Sequence, residues 1–287
     1  MKEICIISGK GGTGKTSVTA ALASAATNLV LCDADVDAPD LHLLLHPEIK
    51  EKHVFDGAWL AEIHVDDCTA CGLCEEYCHF GAISRQNGAY LVDPYRCEGC
   101  RLCERICPAE AISSERSINN HWFISETRMG PMVHARMGAG EENSGKLVSK
   151  VREKARELAK AQNKNFILTD GPPGTGCATI ASITGSDAVL LVIEPTLTSL
   201  HDAERVIELV NTFKIPIYAL INKASIHPGM AEQVKKMLLQ EHVQVLGNIP
   251  FQKEVVEAMV AGKTIVEHFP GTPLAQIFLK AWSDLNK

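Results

Sequence analysis

Ten residues near the start, Ser8-Gly9-Lys10-Gly11-Gly12-Thr13-Gly14-Lys15-Thr16-Ser17, dictate a strand, a glycine loop and a helix in succession. Apolar Ile4-Cys5-Ile6-Ile7 precedes them, and Ser17 to Ala23 continues as a helical pattern. From Gly9 to Thr16 the loop fits G-x-x-x-x-G-K-[ST]. Its glycines let successive backbone N–H groups turn inward around a phosphate chain, and the helix N-terminus adds partial positive charge. Lys15 is placed to reach the β- and γ-phosphates of a nucleoside triphosphate, and the Thr16 hydroxyl to ligate Mg²⁺. Gly9, Gly11 and Gly14 also satisfy G-x-G-x-x-G, with Asp33 downstream, which is the mark of a dinucleotide fold. Lys15-Thr16 at the helix start favours the triphosphate, because a dinucleotide site has no use for that pair.

A chain of 287 residues can bury one large core or two small ones. The net charge of −7 and the lack of a basic stripe argue against a nucleic-acid surface. No apolar run approaches the roughly 20 residues that span a bilayer. Met1-Lys2-Glu3 leads directly into the first strand, so no secretory leader is expected and a cytoplasmic location is.

Eight of the 11 cysteines fall between Cys68 and Cys107, leaving Cys5, Cys32 and Cys177 scattered. Such clustering calls for metal. Cys68, Cys71, Cys74 and Cys78 have the same spacing as Cys97, Cys100, Cys103 and Cys107, and each run leads to Ala-Ile-Ser, at Ala82-Ile83-Ser84 and Ala111-Ile112-Ser113. The doubled C-x₂-C-x₂-C-x₃-C is the ligand pattern of a two-cluster ferredoxin. Three cysteines on one tight loop hold three irons of a cubane, and the fourth crosses to the other cluster. One [4Fe–4S] cluster is therefore expected on Cys68, Cys71, Cys74 and Cys107, and a second on Cys97, Cys100, Cys103 and Cys78. Two zinc ribbons are the alternative, but this rhythm is wrong for tetrahedral pairs. Pro108 follows Cys107, whereas His79 follows Cys78. His79 is either a tolerated surface variant or a group that makes the second cluster's potential depend on pH.

The rest of the chain alternates strands and helices. Leu29–Cys32 reads as a buried strand ending in Asp33-Ala34-Asp35. Asp40 alone suffices to cap a helix over Leu41–Leu45, so Asp33 and Asp35 call for another role, such as Mg²⁺ and an attacking water. Trp122–Ser125 reads as a strand, Met129–Asn143 shows no periodicity, and Lys146–Ala161 is helical. Met129, Met132, His134 and Met137 read as packing residues rather than a soft-metal site. Strands follow at Phe166–Thr169, Val189–Ile193, Pro216–Ile221 and Val243–Ile249. Helices follow at Ser199–Phe213, Met230–Glu241, 252–261 and 273–285. Repeated βα units predict an α/β fold, a mostly parallel sheet with helices on both faces. Residues 1–60 and 116–287 form the expected nucleotide domain, interrupted by a ferredoxin-like module over 61–115.

Lys10 to Thr16 resembles the deviant Walker A loop of MinD/ParA-type ATPases, the nitrogenase iron protein and the Mrp-type cluster carriers. Asp33-Ala34-Asp35 matches switch I of that family, Asp170-Gly171-Pro172-Pro173-Gly174-Thr175-Gly176 matches switch II, and Asn222 and Pro250 match positions near the adenine. A cysteine module between the switches is similar to the branch with an inserted ferredoxin domain. The resemblance implies a Mg²⁺-dependent ATPase that dimerises across its nucleotides, with itself or with a paralogue. Gly11, Gly12, Thr13, Gly14, Lys15, Thr16 and Ser17 would wrap the ATP. Lys10 would reach the partner's phosphates, and Asp35 would orient the attacking water. Asp33 and Asp170 would support Mg²⁺ through its water shell, and Gly171 and Gly174 would sense the γ-phosphate. The interface cysteines of the carriers and of the iron protein have no evident counterpart, with Cys177 alone following switch II. Ile277–Leu285 reads as a core-packing helix, unlike the basic membrane helix that ends MinD. Two roles fit this resemblance. One is ATP-gated electron transfer to a redox acceptor, and the other is assembly or delivery of an iron–sulfur or other metallocofactor.

Overall fold

The computed structural model describes residues 1–138 and 144–287, so part of the aperiodic stretch, 139–143, lies outside the described residues. In chain order the elements begin β1 (Lys2–Ser8), α1 (Lys15–Ala25), β2 (Leu29–Asp33), α2 (Leu41–Leu45) and β3 (Glu48–Phe55). The cysteine-rich region supplies β4 (Trp59–Ile63), α3 (Leu73–Glu76), β5 (Ile83–Gln86), β6 (Ala89–Val92), α4 (Leu102–Ile106) and β7 (Ile112–Arg116). Then come β8 (Asn120–Thr127), β9 (Gly130–Arg136), α5 (Ser144–Ala161), β10 (Phe166–Pro173), α6 (Cys177–Ile183), β11 (Ala188–Ile193) and α7 (Leu197–Thr212). The chain closes with β12 (Ile217–Ile221), α8 (Pro228–Gln240), β13 (Gln244–Asn248), α9 (Lys253–Val260), α10 (Ile265–His268) and α11 (Pro273–Leu285).

Nine strands form one sheet in the order β13-β12-β11-β1-β10-β2-β9-β8-β3. The run from β13 to β9 is parallel throughout. Successive side chains of a strand face opposite ways, and here both faces are apolar. Ile4 and Ile6 of β1 join a core with Leu22, Leu41, Phe278 and Trp282, whereas Cys5 and Ile7 join a second core with Val206, Val210 and Leu238. A sheet covered on both faces reads in sequence as continuous apolar runs. Parallel pairing puts every strand's carboxyl end on one edge, and ligands of such sheets bind along it. Ser8, Asp33, Glu194 and Asn222 end or follow strands there, and Asp170 lies in the carboxyl half of β10.

Three elements differ from the sequence expectation. Gly130–Arg136, read as aperiodic, is the strand β9, buried at five successive residues and therefore without alternation. β3 is exposed along most of its length and gives no apolar signal. The short α10 is opened by a capping box in which Thr264 and Glu267 bond each other's backbone N–H.

The chain divides into two compact units, Met1–Lys52, Trp122–Ala135 and Gly145–Lys287 in one, and His53–His121 with Arg136–Ser144 in the other. Within the second, β4 pairs antiparallel with β7 and β5 with β6. Each cysteine repeat thus supplies strand, helix, strand (β4-α3-β5 and β6-α4-β7), and the repeats exchange strands. This is the pairing expected of a duplicated motif.

Candidate functional site

The phosphate loop joins β1 to α1. Gly14, immediately before α1, has φ +87°, and a Cβ there would strike the Asn222 amide. Gly11 and Gly12 are exposed with open space where side chains would stand, so an anion can approach the backbone. Asn222 donates its amide to the Thr13 carbonyl at 2.7 Å, and Lys223 donates to the Gly12 carbonyl at 3.0 Å. The end of β12 therefore grips the loop from beneath. Thr13 Oγ1 is buried without a partner among the described residues. Thr16 and Ser17 are half-buried in the first turn of α1. An apolar crevice beside the loop is lined by Ser17, Val18, Asn222, Ile249, Val255 and Met259, and the half-buried Pro250 follows Ile249 in sequence.

Lys15 is buried, with Nζ 3.2 Å from Asp35 Oδ2 and 3.6 Å from Asp170 Oδ1. Burial works against its charge, but Asp170 and Asp35 outweigh burial and hold the ammonium above its ordinary pKa. Burial raises the Asp35 carboxyl, with Lys15 opposing. Asp33 is fully buried, and burial followed by the charge of Asp170 pushes its carboxyl well above the usual range. Its Oδ1 accepts the Asp35 N–H at 3.2 Å and its Oδ2 the Leu41 N–H at 3.3 Å. Asp33 therefore caps α2, a duty the sequence reading gave to Asp40, whose side chain makes no capping bond. Asp170 Oδ1 accepts the Thr19 hydroxyl at 2.9 Å, while its Oδ2 is buried with no partner among the described residues. An orphaned carboxylate oxygen beside a threonine-bearing phosphate loop fits the hard-oxygen surroundings that Mg²⁺ requires.

The sequence expectation sends Lys10 outward, but here it lies on its own chain. Its Nζ is 2.6 Å from Glu194 Oε1 and 3.3 Å from the hydroxyls of Thr196 and Thr198. Glu194 also pairs with Lys223 at 3.0 Å. Burial opposes the Glu194 charge, yet Lys10 and Lys223 outweigh it and hold the carboxyl below its usual range. Glu194, Thr196, Thr198 and Lys223 escaped the sequence reading. For Glu194 the available signal is a carboxylate directly after the apolar strand β11.

In switch II, Gly171 stands where β1 and β10 lose register. A Cβ there would lie 2.8 Å from Ile7 Cγ2 and 3.0 Å from the Ile6 carbonyl oxygen, so close packing already demands glycine. Gly174 donates its N–H to the Ser8 carbonyl at 2.8 Å, tying switch II to the base of the phosphate loop.

The second unit has a small core of Ala61, Ile63, Cys74, Ile83, Tyr90 and Ile112. Cys68, Cys78, Cys97, Cys103 and Cys107 pack against it half-buried, while Cys71 and Cys100 are exposed. None of the eight is paired in a disulfide. One cavity is lined by Cys78, Cys97, Cys100 and Cys103, the second expected ligand set, together with Cys74. Burial pushes the Cys103 thiol up to about 11, with Cys97, Cys100 and Cys74 adding to the effect. Soft sulfur donors around a largely apolar cavity fit an iron–sulfur cluster. Among the described residues, no three His, Cys, Asp or Glu side chains lie close enough to hold a single metal ion.

The remaining candidates are dispersed. Cys5, pushed up to about 12 by burial, and Cys32, also raised by burial, are core thiols. Cys177 is exposed at the start of α6, and His79 is exposed. Met132 and His134 are buried on β9, with His134 bonded to the Ser125 hydroxyl at 2.9 Å and stacked on Phe123.

The parallel sheet and its phosphate loop define a P-loop nucleoside triphosphatase fold. A family model described as the CobQ/CobB/MinD/ParA nucleotide binding domain matches residues 4–265, and the chain belongs to that family of MinD/ParA-type P-loop ATPases. An uncharacterized protein of Methanocaldococcus jannaschii is 39% identical over 227 residues, spanning 77% of this chain and 78% of its own length. An iron-sulfur cluster carrier protein of Pyrococcus horikoshii is 24% identical over 297 residues, 97% of this chain and 83% of the carrier. The septum site-determining protein MinD of P. horikoshii, solved with Mg-ADP, shares the fold with a TM-score of 0.59 at 18% identity, covering 100% of this chain and 96% of its own. No described helix is long and apolar enough to cross a membrane.

Proposed function

We propose that this chain is a cytoplasmic, Mg²⁺-dependent ATPase that dimerises across its nucleotides, with itself or a paralogue, and gates electron transfer from two [4Fe–4S] clusters to an acceptor protein. The observation that carries the reading is the cavity gathering Cys78 from one repeat with Cys97, Cys100 and Cys103 from the other. That crossover is what a two-cluster ferredoxin requires. The first cluster would take Cys68, Cys71, Cys74 and Cys107, and bound clusters would supply one-electron storage.

The chemistry of the nucleotide site follows from its contacts. An arriving triphosphate competes with Asp35 and Asp170 for the buried Lys15 ammonium. Once Lys15 turns to phosphate, Asp35 is released to orient a water for in-line attack. Thr16 and Asp170, with Asp33 behind them, would hold Mg²⁺, which supplies charge neutralisation on the phosphates. Lys10 exchanges Glu194 for the partner's phosphates, acting in trans as an arginine finger does. The Gly174–Ser8 bond passes a change in the loop to switch II. The cysteine-rich segment lies in sequence between Asp35 and Asp170, entered from β3 and left into β8, so a change in the switches would have to reach it through those strands.

Delivery of an iron–sulfur or other metallocofactor is the second reading. It is favoured by a relative named an iron-sulfur cluster carrier protein that aligns with 97% of this chain. One experiment separates the two. The anaerobically reduced protein is mixed with a soluble one-electron acceptor, with and without Mg-ATP, and separately with an apo-ferredoxin. Gated transfer predicts nucleotide-dependent oxidation with iron retained. Loss of iron to the apo-ferredoxin, with oxidation indifferent to ATP, assigns delivery instead.

A further inference from the structure

The two cysteine repeats share their spacing but carry opposite charge. From Asp66 to Cys78 the first holds Asp66, Asp67, Glu75 and Glu76 and no base. Over the matched stretch from Tyr95 to Cys107 the second holds Arg96, Arg101 and Arg105 against Glu98 and Glu104. Asp93, just before that stretch, lies 3.6 Å from Arg96, so the contrast rests chiefly on the uncompensated acids of the first repeat. Position for position, Asp67 becomes Arg96, Gly72 becomes Arg101 and Glu76 becomes Arg105. Arg101 is fixed in place, its guanidinium 4.4 Å from the centre of the Trp59 ring and bonded to both Glu104 oxygens at 2.9 and 2.8 Å. We propose that these charges make the two clusters unequal, so that an added electron rests on the one held by Cys97, Cys100, Cys103 and Cys78. This rests on the two-cluster reading above.

Reduction adds one negative charge to a cluster, which nearby cations favour and nearby anions oppose. One further observation acts in the same direction. Ala82 donates its N–H to Cys78 Sγ at 3.4 Å, a bond that stabilises the more negative state. In a protein holding both clusters, an added electron would therefore settle on the second repeat's cluster. The first repeat's cluster would be oxidised by one electron as the second is reduced by one, with no proton moved.

The test is a dithionite titration of the full-length, anaerobically reconstituted protein, followed by electron paramagnetic resonance. The account expects two reduction waves separated by at least about tenfold in electron occupancy, or ~59 mV for a one-electron couple. Arg96→Asp with Arg105→Glu, both at exposed positions, lowers the upper wave and narrows the gap. Asp67→Arg with Glu76→Arg raises the lower wave. Because these charges face water, added salt also narrows the gap. A single wave in protein holding about eight irons, expected for two cubanes, overturns the inference alone, as does a lower wave that answers to the arginine variant. Protein that binds no more than one cubane after reconstitution overturns the two-cluster reading with it.

Discussion

The two units hold their sites together by different means. In the larger, β1, β10 and β11 are buried on both faces, and the functional side chains are tied to one another, Lys15 to Asp35 and Asp170, and Lys10 to Glu194. In the smaller, two pairs of short strands and two single-turn helices surround six core residues, one of them the cysteine Cys74. A core of that size supplies little stability by itself, so its eight thiolates would draw the remainder from iron. The nucleotide site is protein-supported and can exchange its ligand repeatedly. The cysteine unit would be ligand-supported and should keep what it binds.

The largest effect expected from that contrast is selective collapse. Anaerobic chelation of iron should abolish hydrogen-exchange protection over 61–115 while β1, β10 and β11 stay protected. Equal loss in both units would break the contrast. Next comes the buried pair that anchors α5 to β1, where Arg152 meets Glu3 at 2.6 Å and also donates to the carbonyls of Ala181 and Thr184 at 2.5 and 2.8 Å. Arg152→Ala leaves Glu3 buried with less compensation and should cost roughly 3–5 kcal/mol, read as a lowered denaturation midpoint, with the cluster absorbance of the folded protein unchanged.

Lys15→Ala should reduce ATP hydrolysis by about 10²-fold or more, measured as phosphate release, with the full iron content retained. A smaller effect concerns His134, held down at about 4 by burial, with the His42 charge acting the same way. Below the free imidazole pKa the unfolded chain binds a proton that the folded chain refuses. Its contribution to stability is therefore complete above about pH 6.5 and declines as pH falls toward 4. Urea midpoints of His134→Asn should lack that part of the acid loss, at most ~3 kcal/mol for a shift from 6.5 to about 4. The smallest change is expected from Glu194→Gln, which frees Lys10 and Lys223 and should alter the ATPase rate only a few-fold, since partly exposed ion pairs contribute about 1 kcal/mol or less.

Legibility in the sequence followed distance along the chain. The phosphate loop, the aspartates Asp33, Asp35 and Asp170 near the carboxyl ends of β2 and β10, and both cysteine runs are local spacings, and each can be read in one pass. Glu194 and Lys223 act through partners 184 and 211 residues away, Lys10 and the Gly12 carbonyl, which no local pattern reveals. Gly130–Arg136 hid a central strand because burial on both faces erases alternation. Asp33 looked free for catalysis because Asp40 stood ready as a cap, yet the turn at 34–40 delivers the Leu41 amide to Asp33. Thr264 and Glu267 were a readable capping box that periodicity passed over.

The central claim, that the nucleotide site and the clusters act on each other, is tested most directly by the anaerobic ATPase rate of the reconstituted protein with its clusters oxidised and then reduced. Lys10→Ala samples control for contaminating activity. The account predicts a rate that changes several-fold with cluster oxidation state and loses that dependence in the variant. Equal rates in both states would contradict it.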